Sequence, residues 1–220
     1  MNVIVTGSSR GMGRETAIKF LSNGNIVYGL DTEESTIEDE NYIHHICDVS
    51  IKSSLPDIPH INILINNAGR QGTDSDIDVN LIGVINCTEK YVLNNREIRA
   101  VVNQAAASGT TGSDFGRYVA SKGGVIAYTR YTAKEIAKYG ATCNSLSFGG
   151  ALSPVNWGVM HDEKKWGKIM DQTPLKKWAT VNEAADWVYF IAIVNKSCTG
   201  QDIIIDNGEI WNHKIGRAHV

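Results

Sequence analysis

The stretch Val3-Ile4-Val5-Thr6-Gly7-Ser8-Ser9-Arg10-Gly11-Met12-Gly13 decides how this chain folds. Its apolar start predicts a short buried strand, and residues 14–23 behind it predict a helix. A strand, a glycine-rich turn and a helix in this order form a unit that binds dinucleotides. The glycines let the backbone approach a pyrophosphate, which then lies at the positive end of the helix.

A second apolar run, Ile26–Leu30, predicts the next strand, which ends at Asp31. A carboxylate at this place can accept hydrogen bonds from the hydroxyl groups of an adenosine ribose. Residues 33–40 add five further acidic side chains, whose negative field repels the 2′-phosphate of NADP. The sequence therefore favours NAD over NADP.

Length, charge and cysteine spacing narrow the class of protein. The 220 residues suit a single α/β domain, predicted over 1–214. A net charge of −3 gives no general attraction to nucleic acid or to anionic membranes. No apolar run approaches the roughly 18 residues of a membrane span, and the first strand leaves no room for a signal peptide, so we expect a cytoplasmic protein. The four cysteines form no C-x-x-C pair and are expected to be reduced.

Four further motifs follow in order along the chain. They are Asp48-Val49 after the predicted strand 42–47, Asn66-Asn67-Ala68-Gly69 after the strand 61–65, Val79-Asn80-Leu81 in a helix, and Tyr118-Val119-Ala120-Ser121-Lys122 at the start of a long helix. The alternation of Asp74, Asp76 and Asp78 suggests a calcium loop, but Val79 and Ile85 stand where such a loop needs Gly and Glu. We therefore predict no metal site.

The spacing T-G-x-x-x-G-x-G, with these motifs behind it, resembles the short-chain dehydrogenase/reductase (SDR) family, and most closely its 3-oxoacyl-acyl-carrier-protein reductase-like members. The resemblance extends from Val3 to about Gly208. It implies a Rossmann-type, doubly wound and mainly parallel sheet of about seven strands with helices on both faces. It also implies hydride transfer between a nicotinamide cofactor and a ketone or secondary alcohol.

The resemblance assigns roles to individual residues. Tyr118 would donate or accept the proton, Lys122 would hold the nicotinamide ribose, and Asn80 would position a water molecule. Some NADP-dependent members carry a basic residue where Arg10 stands, so NADP remains the alternative cofactor. The cofactor-binding residues implied are Gly7, Ser9, Arg10, Gly11, Met12, Gly13, Asp31, Asp48, Val49, Asn67, Ala68, Gly69, Tyr118, Lys122, Gly149 and Ser153.

The spacing of Tyr118 and Lys122 is also informative without the family. Residues four apart share one face of a helix, so the hydroxyl and the ammonium group can point into one pocket. A tyrosine ordinarily titrates near pH ~10, and a nearby cation favours its ionised form. We therefore expect Lys122 to lower the pKa of Tyr118.

One position departs from the family pattern. Members carry a serine at the end of the fifth strand, which donates a hydrogen bond to the substrate carbonyl oxygen. Here Ala105 or Ala106 occupies that place, and alignment of the following A-S-G favours Ala106. Three explanations stay open: an engineered replacement, a dinucleotide-binding protein without efficient catalysis, or substitution by Ser108. The last requires a shift of about 7 Å if the segment is an extended strand.

The remaining predictions concern the end of the chain and the assembly. Residues 154–180 correspond to the family's substrate lid, and their lysines could contact a carrier-bound acyl substrate, although a solvated charged face is favoured. Residues 215–220 match one reading frame of a widely used sequencing adapter, and we expect them to be a non-native tail. The resemblance implies a homo-oligomer, a tetramer or a dimer. The rival function is an NAD-binding regulatory or sensor protein on the same fold.

Overall fold

A parallel sheet of seven strands forms the centre of the part of the chain that the structure describes. The computed structural model describes residues 1–211, so the tail predicted at 215–220 lies outside it. The spatial order of the strands is β3-β2-β1-β4-β5-β6-β9. These strands are β1 (Asn2–Thr6), β2 (Ile26–Asp31), β3 (Tyr42–Ile46), β4 (Ile63–Asn66), β5 (Ala100–Ala106), β6 (Thr142–Phe148) and β9 (Asp202–Ile205).

Helices cover both faces of this sheet, and a two-stranded parallel sheet lies apart from it. The helices are α1 (Gly11–Leu21), α2 (Gly83–Tyr91), α3 (Ser108–Thr111), α4 (Gly116–Ile136), α5 (Trp157–Met160), α6 (Glu163–Gln172) and α7 (Val181–Tyr189). The small sheet pairs β7 (Ala151–Leu152) with β8 (Ala179–Thr180). Two π-helical segments, Asp78–Ile82 and Phe190–Val194, adjoin α2 and α7. Among the described residues, no helix is long and apolar enough to cross a membrane.

The apolar runs of the central strands supply two cores, one on each face of the sheet. Alternate residues of a strand point to opposite faces. Accordingly Ile4 packs on one side, whereas Val3 and Val5 pack on the other. Ile63-Leu64-Ile65 of the neighbouring strand divides in the same way. Runs without polar alternation are typical of strands that are buried on both faces, as the sequence predicted.

A chain of hydrogen bonds between polar side chains runs through the middle of the core. The Asn66 amide donates to Asn103 Oδ1 at 2.8 Å, and the Asn103 amide donates to Thr129 Oγ1 at 2.9 Å. Thr129 in turn donates to the backbone carbonyl of Val125 within α4. The chain therefore links β4, β5 and the helix that carries Tyr118.

The element boundaries differ from the predicted ones at two places that matter for the site. Helix α1 is counted from Gly11, which still has a positive φ of 59°, and the last glycine of the turn, Gly13, is already helical. Strand β5 continues past Asn103 to Ala106, because its alanines pair with β6 up to the partners Ala106 and Phe148. The chain then leaves the sheet at once, since Ala107 has helical dihedral angles, φ −54° and ψ −35°.

Candidate active site

A cavity of about 950 Å³ opens at the carboxyl ends of the central strands. The strand order reverses here, because β1 is followed by β2 on one side and the chain later returns to place β4 on the other. Open α/β sheets bind their ligands at such a switch point. The cavity therefore lies where the sequence placed the dinucleotide.

Most of the predicted residues line this cavity. Ser9, Gly13 and Asn80 do not: they are packed behind its wall. The predicted residues that do line it are Gly7, Arg10, Gly11, Met12, Asp31, Asp48, Val49, Asn67, Ala68, Gly69, Ala105, Ala106, Tyr118, Lys122, Gly149 and Ser153.

The glycine turn is fastened to the end of β4. Gly7 adopts a positive φ of 67°, which side chains disfavour. The Asn67 amide donates to the backbone carbonyls of Thr6 and Gly7, at 2.9 and 3.0 Å. A Cβ atom at Gly13 would lie 2.0 Å from the Gly7 carbonyl oxygen. The turn therefore has no room for a side chain at Gly13.

Asp31 lines one end of the cavity, beside the glycine turn, and is held in place by hydrogen bonds. Its Oδ2 accepts a hydrogen bond from Ser9 N at 2.9 Å, and its Oδ1 accepts one from Glu33 N at 3.1 Å. The guanidinium group of Arg10 lies 3.2 Å from Glu33 Oε1 in an exposed ion pair. Asp31 and Glu33 are carboxylates, and the charge of Arg10 is paired with Glu33. These three side chains together therefore offer no unpaired positive charge to a phosphate.

Tyr118 and Lys122 lie together at the other end of the cavity. Lys122 is buried, its Nζ donates to the Gln104 backbone carbonyl at 2.8 Å, and it lies 5.6 Å from the centre of the Tyr118 ring. Burial lowers the pKa of Lys122 to about 8. Burial, together with Asp114 and Asp76, raises the pKa of Tyr118 to about 12. The expected lowering of the Tyr118 pKa by Lys122 was therefore wrong for this structure, because desolvation and two carboxylates outweigh the cation.

Asn80 lies in the π-helical segment Asp78–Ile82 and supports the cavity wall from behind. Its Oδ1 accepts from Arg70 N at 2.7 Å, and its Nδ2 donates to the Arg70 carbonyl at 2.8 Å and to Ser121 Oγ at 3.1 Å. Single π-helical turns are frequent at functional sites. The side chain of Asn80 thus joins the turn after β4 to helix α4.

The wall where the family has its serine is apolar. Ala105 and Ala106 are buried, and Ala106 faces the cavity from the last position of β5. Ser108, two residues further on, also lines the cavity. Its hydroxyl is shielded from solvent and has no hydrogen-bond partner among residues 1–211.

Several residues of the site were missed by the sequence reasoning. Asp76 is fully buried and accepts hydrogen bonds from Gly72 N, Thr73 N and Thr73 Oγ1, so it fixes the short connection after β4. Trp178 packs edge-on against Trp166 at 5.0 Å and lines the cavity. Asp76 belonged to the alternation that was considered and rejected as a calcium loop. Trp178 carried no signal beyond the abundance of tryptophan in the lid.

The donor set of the cavity fits a nicotinamide dinucleotide. The tight glycine turn and the start of α1 suit a pyrophosphate, Asp31 suits a ribose diol, and Lys122 beside Tyr118 suits the second ribose. No group of three or more His, Cys, Asp or Glu side chains that could hold a metal ion occurs in the described part of the chain.

Comparisons with known proteins agree with this geometry. Residues 7–209 match the family model described as enoyl-(acyl carrier protein) reductase. The 3-oxoacyl-[acyl-carrier-protein] reductase FabG of Staphylococcus epidermidis is 29% identical over 94% of this chain and 98% of its own length. The Staphylococcus aureus FabG is 30% identical over 94% of this chain and 97% of its own length.

Solved structures give the same fold. A 4-hydroxyisoleucine dehydrogenase mutant complexed with NADH and succinate has a TM-score of 0.87 at 23% identity, covering 95% of this chain and 98% of that one. The aldohexose dehydrogenase of Thermoplasma acidophilum has a TM-score of 0.82 at 27% identity, and the match covers 96% of this chain and 94% of that one. An Agrobacterium tumefaciens structure assigned as a 2-deoxy-D-gluconate 3-dehydrogenase, with bound NADP, has a TM-score of 0.84 at 22% identity and covers 96% of each chain.

Proposed function

The chain belongs to the short-chain dehydrogenase/reductase family, with FabG-like relatives, and we propose that it is an NAD(P)-dependent oxidoreductase that reduces a ketone to a secondary alcohol. The observation that supports this most is the joint placement of Tyr118 and Lys122 against Gln104 in the wall of a cavity with a dinucleotide-binding turn. A protein that only bound a dinucleotide would have no proton transfer for Tyr118 to perform.

The chain's own residues divide the chemistry as follows. When bound, a reduced nicotinamide cofactor would supply the hydride for the carbonyl carbon. Tyr118 gives its phenolic proton to the carbonyl oxygen, so the carbonyl becomes a secondary alcohol. Lys122 stabilises the phenolate that Tyr118 becomes, through its positive charge. Asn80 keeps the turn at Arg70 and helix α4 in register, which fixes the distance between the cofactor site and Tyr118.

Tyr118 is in the protonation state that carbonyl reduction needs. Burial and the nearby carboxylates raise the pKa of this tyrosine to about 12, so it carries its proton at neutral pH. A protonated tyrosine can act as the acid that carbonyl reduction requires.

For the cofactor, we propose NAD over NADP. Asp31 occupies the ribose end of the cavity, and Glu33 pairs with Arg10, the basic side chain of the glycine turn that lines the cavity. A 2′-phosphate there would meet two carboxylates.

For the substrate, an acyl group carried by an acidic carrier or by coenzyme A is the favoured class. Arg70 is exposed and lines the cavity beside the turn after β4, and its guanidinium has no ion-pair partner within the described range. The lysines of the lid support this less, because Lys165 pairs with Asp162 and Lys177 with Glu183.

We also propose a homo-oligomer. The described part of the chain exposes large apolar side chains on α4 and at the end of α7, with Tyr131 at 48%, Trp187 at 40% and Phe190 at 47%. Strand β9 lies at an open edge of the sheet. Unpaired edges and apolar faces are features that association covers.

A second candidate function rests on the wall at Ala105 and Ala106. Neither side chain can donate a hydrogen bond, and loss of one donor to a developing oxyanion typically costs ~10²–10³ in turnover. An NAD-binding regulatory or sensor protein would have no need of that donor.

Oxidation of NADH over a carbonyl panel, run for the wild type and for Ala106→Ser, separates the two functions. The panel contains acetoacetyl-coenzyme A and small ketones, and binding of NADH is measured in parallel. Turnover by the wild type supports the oxidoreductase, whereas turnover by Ala106→Ser alone supports the binding protein that lacks the donor. If both bind NADH and neither turns over, the oxidoreductase proposal fails and the sensor function replaces it.

A further inference from the structure

Ser108 stands where it can replace the missing donor. We propose that its hydroxyl holds the carbonyl oxygen of the substrate, in place of the serine that Ala106 lacks. This inference rests on the proposed reductase function, and it begins from three observations: the apolar wall at Ala105 and Ala106, the course of the chain after β5, and an unpartnered hydroxyl.

The course of the chain after β5 shortens the distance between the position of Ala106 and Ser108. Two steps along an extended strand cover about 7 Å, but the strand ends at Ala106. Ala107 is helical, and its N–H still donates to the Phe148 carbonyl at 3.0 Å, so the turn begins at the edge of the sheet. A helix advances only about 1.5 Å per residue along its axis. Ser108 therefore stays beside the end of β5 instead of moving beyond it.

The position of the helical turn brings Ser108 to the proton donor. Helix α3 packs against α4 at Lys122: a Cβ atom built on Gly109 would lie 2.9 Å from the backbone carbonyl carbon of Lys122. Ser108 is the neighbour of Gly109 in sequence and lines the same cavity as Tyr118. Ser108 therefore lies on the wall of the cavity next to the helix that carries Tyr118 and Lys122.

The Ser108 hydroxyl makes no hydrogen bond that would stabilise the described part of the molecule. Its oxygen is shielded from solvent and has no hydrogen-bond partner among residues 1–211. A buried polar group in this condition costs about 1–3 kcal/mol. Serine has three staggered χ1 positions, and rotation toward the partly open cavity lets a substrate oxygen satisfy the group. Helix α3 therefore keeps a donor that is unpaired until the substrate arrives.

In the reaction, Ser108 donates a hydrogen bond to the carbonyl oxygen and keeps its proton. Tyr118 still supplies the proton that becomes the alcohol hydrogen, so the balance of the reaction is unchanged. The hydrogen bond strengthens as negative charge develops on the oxygen, which is how such donors accelerate carbonyl chemistry.

The test compares Ser108→Ala with three other proteins: the wild type, Thr110→Ala and the double variant Ala106→Ser/Ser108→Ala. Thr110 is an exposed residue of the same short helix and does not line the cavity. We measure kcat with acetoacetyl-coenzyme A and small ketones, the Kd for NADH, and Tm. Ser108→Ala is expected to lower kcat by ~10²–10³ with unchanged Kd and an unchanged or raised Tm. The double variant should recover activity, and Thr110→Ala should match the wild type.

The outcomes separate this inference from the function on which it rests. An active wild type that Ser108→Ala leaves equally active overturns the role of Ser108 and leaves the reductase proposal standing. Turnover by Ala106→Ser with an inactive wild type also overturns it, because Ser108 then supplies no donor. A fall in activity accompanied by a fall in Tm, without recovery in the double variant, shows a structural role instead. If no protein turns over any substrate, both proposals fail together.

Discussion

The Nζ atom of Lys122 donates a hydrogen bond of 2.8 Å to the backbone carbonyl of Gln104. This contact joins helix α4 to strand β5 inside the cavity, two residues before Ala106. It also holds the lysine in a buried position, where its charge is costly, so the titration of Lys122 becomes a measurable property of the folded protein.

The stability of the apoprotein should depend on pH through Lys122. Burial lowers the pKa of this lysine from 10.5 to about 8. At Lys122 the unfolded chain therefore binds more protons than the folded one between pH 8 and 10, so the contribution of this residue to the free energy of unfolding should rise with pH. Relative to Lys122→Met, we expect a gain of about 2 kcal/mol across this window. The buried cysteines contribute with the opposite sign in the same interval, but they are common to both proteins and cancel in the difference. Urea unfolding of both proteins at several pH values measures the gain, and parallel curves would contradict it.

Gly13→Ala should destabilise the protein and weaken the binding of NADH. The added Cβ would lie 2.0 Å from the Gly7 carbonyl oxygen and 2.3 Å from Asn67 Nδ2, both parts of the turn that holds the dinucleotide. Overpacking of this kind typically costs 1–3 kcal/mol. The control is Gly167→Ala in helix α6, where a Cβ meets nothing within 4 Å. That change should stabilise the helix by up to about 1 kcal/mol. Equal shifts in Tm for the two variants would contradict the prediction.

Cofactor preference should respond to the charge of Asp31. Asp31→Asn keeps an acceptor for the Ser9 N–H but removes the negative charge that a 2′-phosphate would meet. We expect the ratio of kcat/KM for NADPH to that for NADH to rise about tenfold, which corresponds to about 1.4 kcal/mol. Glu40→Ala, an exposed change in the same acidic segment, serves as the control and should leave the ratio unchanged. A wild type that already prefers NADPH would refute the assignment of NAD.

Arg70 should distinguish acidic from neutral substrates. Arg70→Gln is expected to raise KM for acetoacetyl-coenzyme A up to about fivefold, since exposed ion pairs contribute at most about 1 kcal/mol. The effect should shrink at high salt, because such pairs are screened. KM for a small neutral ketone should stay the same, as should both constants in Arg96→Gln, an exposed arginine that does not line the cavity. A similar rise for the neutral ketone would show a general change of the cavity instead.

Much of the fold could be predicted from local patterns. Apolar runs without polar alternation located the central strands, and the glycine turn with Asp31 located the cofactor end of the cavity. These features depend on short segments whose backbone geometry follows from a few residue types. The tail at 215–220 and the choice between NAD and NADP remain predictions.

The remaining features depend on contacts between distant segments, which local patterns do not encode. Strand β5 reaches Ala106 only because β6 offers partners up to Phe148. The helical turn at Ala107, which brings Ser108 to the cavity, could not be read from three successive alanines. The pKa of Tyr118 is set by burial and by Asp114 and Asp76. The sequence showed only the spacing between Tyr118 and Lys122.

The packing of Gly7, Gly13 and Asn67 has a consequence for laboratory evolution of this protein. Gly13 leaves room for the Gly7 carbonyl and for the Asn67 amide, and that amide donates to the same carbonyl. A replacement at one of the three residues therefore disturbs the contacts of the other two. Single-step random mutagenesis should therefore find almost no improved variants at these positions, however strong the selection. Helix α6, with its exposed side chains and its unhindered Gly167, can absorb changes one at a time. Libraries aimed at new substrates should hold the first group constant and concentrate their diversity on residues 154–172.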